Sequence, residues 1–371
     1  MLPQHGTLQL STARLRHNLN LFRNAAPRLA ATIKANAYGH GIDTLAPLLL
    51  QQNITWACVY NLHEALHLAT YPWHGLLVLA PFVASTPLDP ALAARLAPPI
   101  RLNLTDLASA RYLSAALTNC TAPLPVHIQI DAGLTRAGVA PAEAPALIAA
   151  VAALPNLHLE GLFAHFSHGD APNHPTLQQQ YDTLMAVARP FKQRWPHLLV
   201  HLQNSGGAIN LPHPSLDMVR LGIALYGLQP STSDPILNLQ PIARVVAPIL
   251  DIHARPAGVG VGYGHTFLTQ RHTRIAIVPV GYADGYPRQL SNHCVAQLRG
   301  RDVPVVGRVS MDQITLDVTD IPDAAIGDEV IVISDDPAKP NCLDRMADAI
   351  GTIGYELATH LGPRLARTIT P

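Results

Sequence analysis

"ATIKANAYGHG", residues 31–41, runs from an apolar, β-branched stretch into a glycine-rich turn, with one lysine at the junction. That is the form of a buried strand delivering a functional side chain at its C-terminal end. Lysine is scarce in this chain. Of the 25 basic residues only Lys34, Lys192 and Lys339 are lysines, and the last two sit in polar contexts, "RPFKQRW" and "DDPAKPN", where a solvated charge suffices. An ammonium on the end of "LAATI" is instead partly desolvated, which lowers its pKa toward the range where the neutral amine can act. Lys34 is therefore a candidate for covalent attachment of a carbonyl compound. The plainer alternative is a side chain snorkelling from a strand end.

The same kind of run recurs outward from this one. "TWACVY" (55–60), "LLVLA" (76–80), "PIRLN" (99–103), "PVHIQI" (125–130), "LHLEGLF" (157–163), "LLVHLQ" (198–203) and "LDMVRLGIAL" (216–225) bring the strand candidates to eight. Helix-like patterns fill several gaps, at 61–70, 105–118, 141–153 and 176–194. Eight alternating units predict an α/β fold closed as a parallel (β/α)8 barrel, a TIM-like architecture that gathers functional side chains at the C-terminal ends of its strands. An open doubly wound sheet is the alternative. The Pro/Ser/Asp-rich end of "YGLQPSTSDP" (226–235) marks a boundary, giving domains 1–235 and 236–371. Beyond it come "IARVVAPIL", "RIAIVPVG", "CVAQLR", "VPVVG", "QITLDV" and "EVIVIS", separated by Gly and Pro turns and with little helix before residue 343. A second, mostly β domain is expected there.

Composition narrows the function classes. Among 371 residues, 48% hydrophobic content can build a large core, and 25 acidic residues balance 25 basic ones. A balanced chain offers no clustered positive charge for nucleic acid or a membrane surface, so neither is expected as a partner. Cys58, Cys120, Cys294 and Cys342 are scattered without a CxxC pair, which points to reduced thiols and a cytoplasmic setting. The N-terminus alternates polar and apolar residues instead of forming a signal peptide, and no apolar run reaches the roughly 20 residues of a membrane span.

Placed on a barrel, the chemistry-bearing residues share one rim. Lys34 ends the first run, Arg136 follows the fifth in "DAGLTRAG", His165 ends the sixth in "GLFAHFSH", "NSGG" (204–207) follows the seventh, and Arg220 lies in the eighth. The "NSGG" turn and the glycines of "LGIALYG" would let backbone amides approach a phosphate, the usual anion site late in such barrels. A rival motif is "HEALH" (63–67), a match to the HExxH zinc-peptidase pattern, with His63 and His67 one helical turn apart and Glu64 as base. Its extended form fails, because Thr70 and Trp73 occupy the positions of the expected Gly and His, and 19 histidines make chance matches easy. "GVGVGYGH" (258–265) carries Tyr263 where a dinucleotide fingerprint needs its third glycine, and reads as a loop presenting that tyrosine. "GYADGYPR" (281–288) and "GRVSMDQ" (307–313) are further Gly-bounded turns with polar tips.

With these residues in view, the chain resembles the alanine racemases, a family of pyridoxal 5'-phosphate enzymes. "IKANAYGHG", "VRLGIALYG", "YGHTF", "GYADG", "MDQ" and "YE" occur in this order over essentially the full length. The resemblance implies a barrel followed by a β domain, and a head-to-tail homodimer in which the second domain of one subunit completes the partner's active site. It implies that Lys34 holds the cofactor covalently and that Tyr38, Ser205, Gly222, Ile223 and Tyr355 bind its phosphate. Arg220 would face the pyridine nitrogen, with His165 and His201 around it. Tyr263 would be the second catalytic base, contributed across the dimer. Arg136 and the backbone amide of Met311 would bind the substrate carboxylate, with Tyr282, Arg288 and Asp312 near the entrance.

Inverting an amino acid requires removing the Cα proton from one face and supplying one on the other, which a single base cannot do. An arginine at the ring nitrogen does not surrender its proton, so charge stays near Cα and racemisation is favoured over transamination. One departure stands out: Gln129 occupies a position where the family frequently has a carbamylated lysine that positions the carboxylate-binding arginine. Its neutral amide oxygen is expected to accept a weaker hydrogen bond from Arg136. Ser310 and Gly169–Asp170 also differ from commoner family residues. The implied activity is interconversion of L- and D-alanine, supplying D-alanine for peptidoglycan. Alternatives are a serine or broad-specificity racemase, a decarboxylase on a similar fold, a non-catalytic cofactor-binding barrel, and the zinc peptidase.

Overall fold

The computed structural model describes residues 5–213, 215–231 and 237–371. The division expected between residues 235 and 236 lies outside them. Two compact units are present: one comprises Leu19–Ala35 and Ala46–Leu225, the other the described parts of Met1–Asn18, Asn36–Leu45 and Tyr226–Pro371.

Strand β1 (Thr7–Ser11) belongs to the second of these units. The first unit is built on β2 (Leu29–Thr32), β3 (Trp56–Val59), β4 (Gly75–Pro81), β5 (Ile100–Leu104), β6 (Leu124–Gln129), β7 (Leu157–Phe163), β8 (Leu199–His201) and β9 (Val219–Leu221). They form one eight-stranded sheet in the order β8-β7-β6-β5-β4-β3-β2-β9, every neighbouring pair parallel. The remaining gap is bridged by backbone bonds from Asp217 N–H to the Val200 carbonyl at 2.9 Å and from Arg220 N–H to the Gln203 carbonyl at 3.0 Å. This is the (β/α)8 barrel expected from the eight runs. All residues of β5 and β6 are buried, because strands of a parallel barrel are covered on both faces.

One cluster of the barrel core is apolar: Ala30, Trp56, Cys58, Leu77, Leu199 and Met218 pack together. The buried set also includes Arg101, Asn103, His127, Gln129, His201 and Arg220. Charged and imidazole groups are rarely buried without partners, so a polar set of this size needs an internal network.

The second unit contains a six-stranded sheet in which β1 lies between β10 (Ala243–Pro248), antiparallel, and β19 (Ala366–Thr370), parallel. Its other strands are β15 (Val295–Leu298), β16 (Arg301–Pro304) and β18 (Glu329–Ile333). Smaller sheets join β11 (Asp251–Arg255), β14 (Thr273–Val278) and β17 (Ile314–Asp317), and β12 (Gly260–Val261) with β13 (Phe267–Leu268). The mostly β character expected of the C-terminal region is observed. Two details differ from the sequence reading. The alternating N-terminus is strand β1 of this unit, and "GIAL" (222–225) is not strand: after β9 the chain turns into a 3-10 helix, Ile223–Tyr226. The Ser205 hydroxyl accepts from Gly222 N–H at 2.9 Å and Ala224 N–H at 3.3 Å, which takes those donors out of any ladder.

Candidate active site

Lys34 follows β2 at the C-terminal end of the barrel and opens an unusual turn. Ala35, Asn36, Ala37 and Tyr38 have φ of 51, 54, 54 and 50°, a run of left-handed helix made from non-glycine residues. Each such residue costs on the order of 1–2 kcal/mol relative to the right-handed form, so the turn must be held from outside. The Ala35 N–H donates to Glu64 Oε1 at 2.7 Å, and the Asn36 side chain accepts from Ile42 N–H at 2.8 Å. Gly39 continues at φ +78°, where an added Cβ would lie 2.0 Å from the Ala358 carbonyl oxygen. The strain orients the chain directly after Lys34. Desolvation lowers the Lys34 pKa, and the Arg136 guanidinium lowers it further against the weaker pull of Glu64.

Around that amine the barrel supplies a cationic, proton-poor environment. Arg220, 3% exposed, donates through Nη1 to His201 Nδ1 at 2.6 Å and through Nη2 to His165 Nδ1 at 3.1 Å and the Ala164 carbonyl at 2.8 Å. Since guanidinium only donates, both imidazole Nδ1 atoms must be lone pairs. Burial and the Arg220 charge push His165 down to about 3 and His201 well below the usual histidine range, so both rings are neutral. Burial lowers Arg220 itself only to about 10, which leaves it charged at neutral pH. Cys58, raised by burial to about 12, is an inert thiol.

Ser205 starts the short helix Ser205–Asn210, capped by Asn204, which accepts from Gly207 N–H at 2.8 Å. With its oxygen taken by two backbone N–H groups, the Ser205 hydroxyl proton is left to serve an anion. The Gly222 N–H donates to the Ser205 hydroxyl, so backbone and side chain of this expected phosphate site are already joined. Gly206 is required by packing: a Cβ there would lie 2.2 Å from the Gly169 carbonyl oxygen. Ile223 is buried.

Two expectations about nearby side chains are revised. Gln129 does not lend its amide oxygen to Arg136; that oxygen accepts from Asn103 Nδ2 at 2.8 Å. Arg136 is exposed, on a loop pinned by Asp131 Oδ1, which accepts from the Gly133 and Thr135 amides at 3.0 Å each. In "HEALH", Glu64 is a capping-box residue: it accepts from Asn61 N–H at 3.4 Å and Tyr60 N–H at 2.7 Å, while its own N–H donates to the Asn61 side chain at 2.9 Å. A carboxylate engaged by three backbone amides, including that of Ala35, is not poised as a hydrolytic base. The pattern N-x-x-E at 61–64 carried that signal in the sequence. Among the described residues no cluster of three or more His, Cys, Asp or Glu could hold a metal.

The second unit holds the remaining candidates in two groups. The Tyr38 ring lies 4.9 Å from that of Tyr226, tilted by 31°, and 6.3 Å from the Tyr355 ring, centroid to centroid. Separately, the turns around Tyr263, Tyr282 and Met311 are neighbours. The Tyr282 and Ala283 amides donate to the Ser310 and Met311 carbonyls at 3.1 and 3.0 Å, and Gly307 packs on the Val261 carbonyl. Tyr263 is 72% exposed, Met311 53% and Tyr282 43%; Arg288 is also exposed. Asp312 accepts from Arg364 at 2.6 Å, and Arg364 also clamps Asp284 with bonds of 3.0 and 2.9 Å.

Comparison with known proteins identifies this arrangement. Residues 10–230 match the family model described as alanine racemase, N-terminal domain, and residues 242–369 that of the C-terminal domain. The chain belongs to the alanine racemase family. It is 36% identical over 364 residues to the alanine racemase of Desulfovibrio desulfuricans, covering 97% of this chain and 96% of that one. Among solved structures, the alanine racemase of Clostridium difficile 630 superposes with a TM-score of 0.90 at 28% identity, covering 100% of this chain and 97% of the other. A histidine racemase from Leuconostoc mesenteroides subsp. sake does so at 0.87 and 26% identity, with 100% and 99% covered. Members of the family are amino-acid racemases, isomerases that use pyridoxal 5'-phosphate. The residues present fit that cofactor: a desolvated amine, a hydroxyl with an uncommitted proton, and a guanidinium that can only donate, as a ring nitrogen acceptor requires.

Proposed function

We propose that this chain interconverts L- and D-alanine by a two-base exchange in which Lys34 Nζ serves one face of the substrate Cα and Tyr263 Oη, from a partner subunit, serves the other. The position of Lys34 directly after barrel strand β2, in a chain of the alanine racemase family, is the observation that carries the reading, and desolvation, with Arg136, lowers its pKa in accord with it. Bound pyridoxal phosphate would supply the electron sink that makes the Cα proton acidic. Lys34 would hold it covalently, with Ser205, Tyr38 and Tyr355 toward its phosphate, Ile223 beside them, and Arg220 toward its ring nitrogen. Arg136 and the Met311 amide would orient the substrate carboxylate, and Tyr282, Arg288 and Asp312 would line the approach. His165 and His201, both neutral, fix the Arg220 fork without adding charge.

The proposed homodimer rests on exposure: Tyr263, Met311 and Tyr282 form an aromatic and thioether surface of the kind that stable interfaces cover. Residues 1–235, joined by Tyr355, would hold the cofactor, and other parts of residues 236–371 would complete the partner's site. Among the described residues no helix is long and apolar enough to cross a membrane; a cytoplasmic enzyme feeding D-alanine to peptidoglycan, with no nucleic-acid partner, is the proposed setting. Racemisation of L-alanine, followed by appearance of the D enantiomer, tests the activity. The panel should include serine and histidine, given the histidine racemase among the structural neighbours. Absence of alanine turnover in cofactor-loaded protein would refute the reading.

A further inference from the structure

Among the described residues Arg220 has no carboxylate as a hydrogen-bond partner, and its bonds to His201 and His165 leave open what keeps those rings in the required tautomer. A chain of contacts through the barrel interior answers this for His201. His201 Nε2 lies 2.9 Å from His127 Nδ1, and His127 Nε2 lies 3.0 Å from Glu160 Oε2. Glu160 in turn accepts from Arg101 Nε at 2.9 Å and Nη2 at 3.0 Å, and Arg101 stacks on Trp56 at 4.7 Å. His127 and His201 are fully buried.

The backbone is irregular at the point that makes this chain possible. Along the β6–β7 pair, Val126 is opposite Leu159 but His127 is opposite Gly161, so Glu160 is the extra residue of a β-bulge. Bulges re-aim side chains. The next residue must also be glycine, since a Cβ at Gly161 would sit 2.5 Å from His127 Nδ1.

We propose that Glu160 is a positioning residue for Arg220, acting through His127 and His201 as a hydrogen-bond file with only one possible direction. Guanidinium can only donate and carboxylate can only accept. Arg220 therefore forces a lone pair on His201 Nδ1, His201 donates from Nε2 to His127 Nδ1, and His127 donates from Nε2 to Glu160. The two ends favour the same direction, and together they hold it. Burial lowers the pKa of both His127 and His201; among the described residues the titratable and charged groups facing His127 are Glu160, Arg101, Arg220 and His201, and those facing His201 are Arg220 and His127. Glu160→Gln would break the rule at one end, because an amide can also donate. The file can then run backward and present a His201 Nδ1–H to the guanidinium, donor against donor.

The file itself is independent of the activity proposed above; its consequence for turnover rests on that reading. Side-chain 15N NMR of histidine-labelled protein, cofactor-loaded and cofactor-free, reads the tautomers directly. In the unaltered protein both rings should be neutral Nε2–H species from pH 7 to 8.5. Glu160→Asp should keep that state, whereas Glu160→Gln should move one or both rings toward Nδ1–H. Racemisation kcat should fall roughly 10- to 100-fold in the Gln variant, in the range found for lost outer hydrogen-bond partners, with little change in KM. An Nδ1–H or imidazolium signal from His201 in the unaltered protein overturns the proposal even if no variant folds. So do identical tautomers in the Gln variant, or equal perturbation by Asp and Gln. Correct tautomers in a protein that racemises nothing would refute the proposed activity and leave the file standing.

Discussion

Lys34 is kept from water at a cost to the fold. Its pKa is lower in the folded chain than the ordinary 10.5 because burial, then Arg136, disfavours the ammonium. The penalty is therefore full below the lowered value and fades as pH rises toward 10.5. Lys34→Met should raise the melting temperature of the cofactor-free protein at pH 7 while racemisation falls by at least 10²–10⁴-fold; calorimetry showing no gain would contradict the desolvation argument. Glu160 has the opposite sign. Burial alone would raise its pKa, but hydrogen bonds from His127 and Arg101 outweigh that and hold it at about 2. Its contribution is complete above the ordinary 4.5 and is lost as pH drops from there toward about 2. Urea unfolding should show the stability gap between unaltered protein and Glu160→Gln closing across that window. At this scale the sequence exposed the chemistry-bearing residues but not their partners. "PIRLN", "PVHIQI" and "LHLEGLF" each carry a polar group inside a buried run. Nothing in one run says that Arg101, His127 and Glu160 meet. Gln129 shows the same limit, since Asn103, which takes its oxygen, sits on a different strand.

Backbone irregularities do the positioning at the level of single elements. The left-handed turn Ala35–Tyr38 reverses a familiar rule: glycine in place of alanine weakens a right-handed helix by about 1 kcal/mol, but at Ala35, with φ 51°, it relieves strain. Ala35→Gly should stabilise the protein by about 1 kcal/mol in chemical unfolding, and a loss would mean the strain is not borne there. The helix Leu62–Leu68 gives a conventional counterpart. Removing its cap with Asn61→Ala should cost about 1 kcal/mol, while also loosening Glu64 and hence the amide of Ala35. Strand positions were legible because apolar runs of this length bounded by turn residues have few other uses. The β7 bulge was not, because its evidence is the register of β6.

Tyr263 decides the matter at the level of the whole molecule. Tyr263 is 72% exposed, and in the proposed dimer a second copy would cover it. Sedimentation should give a dimer. Mixing Lys34→Ala with Tyr263→Phe under conditions that permit subunit exchange should restore roughly a quarter of full activity, since half the dimers are hybrids with one intact site each. No recovery would place both bases on one subunit. The sequence by itself determined the barrel, the β region after it and the family. Each of these is written in local periodicity or in short contiguous motifs. Tertiary structure alone decided that β1 pairs with β10 and β19 and that Arg220 is tied through two histidines to a bulged glutamate. Hydrogen-bond partners and strand register depend on residues far apart in the chain, and only folding brings them within 3 Å of one another.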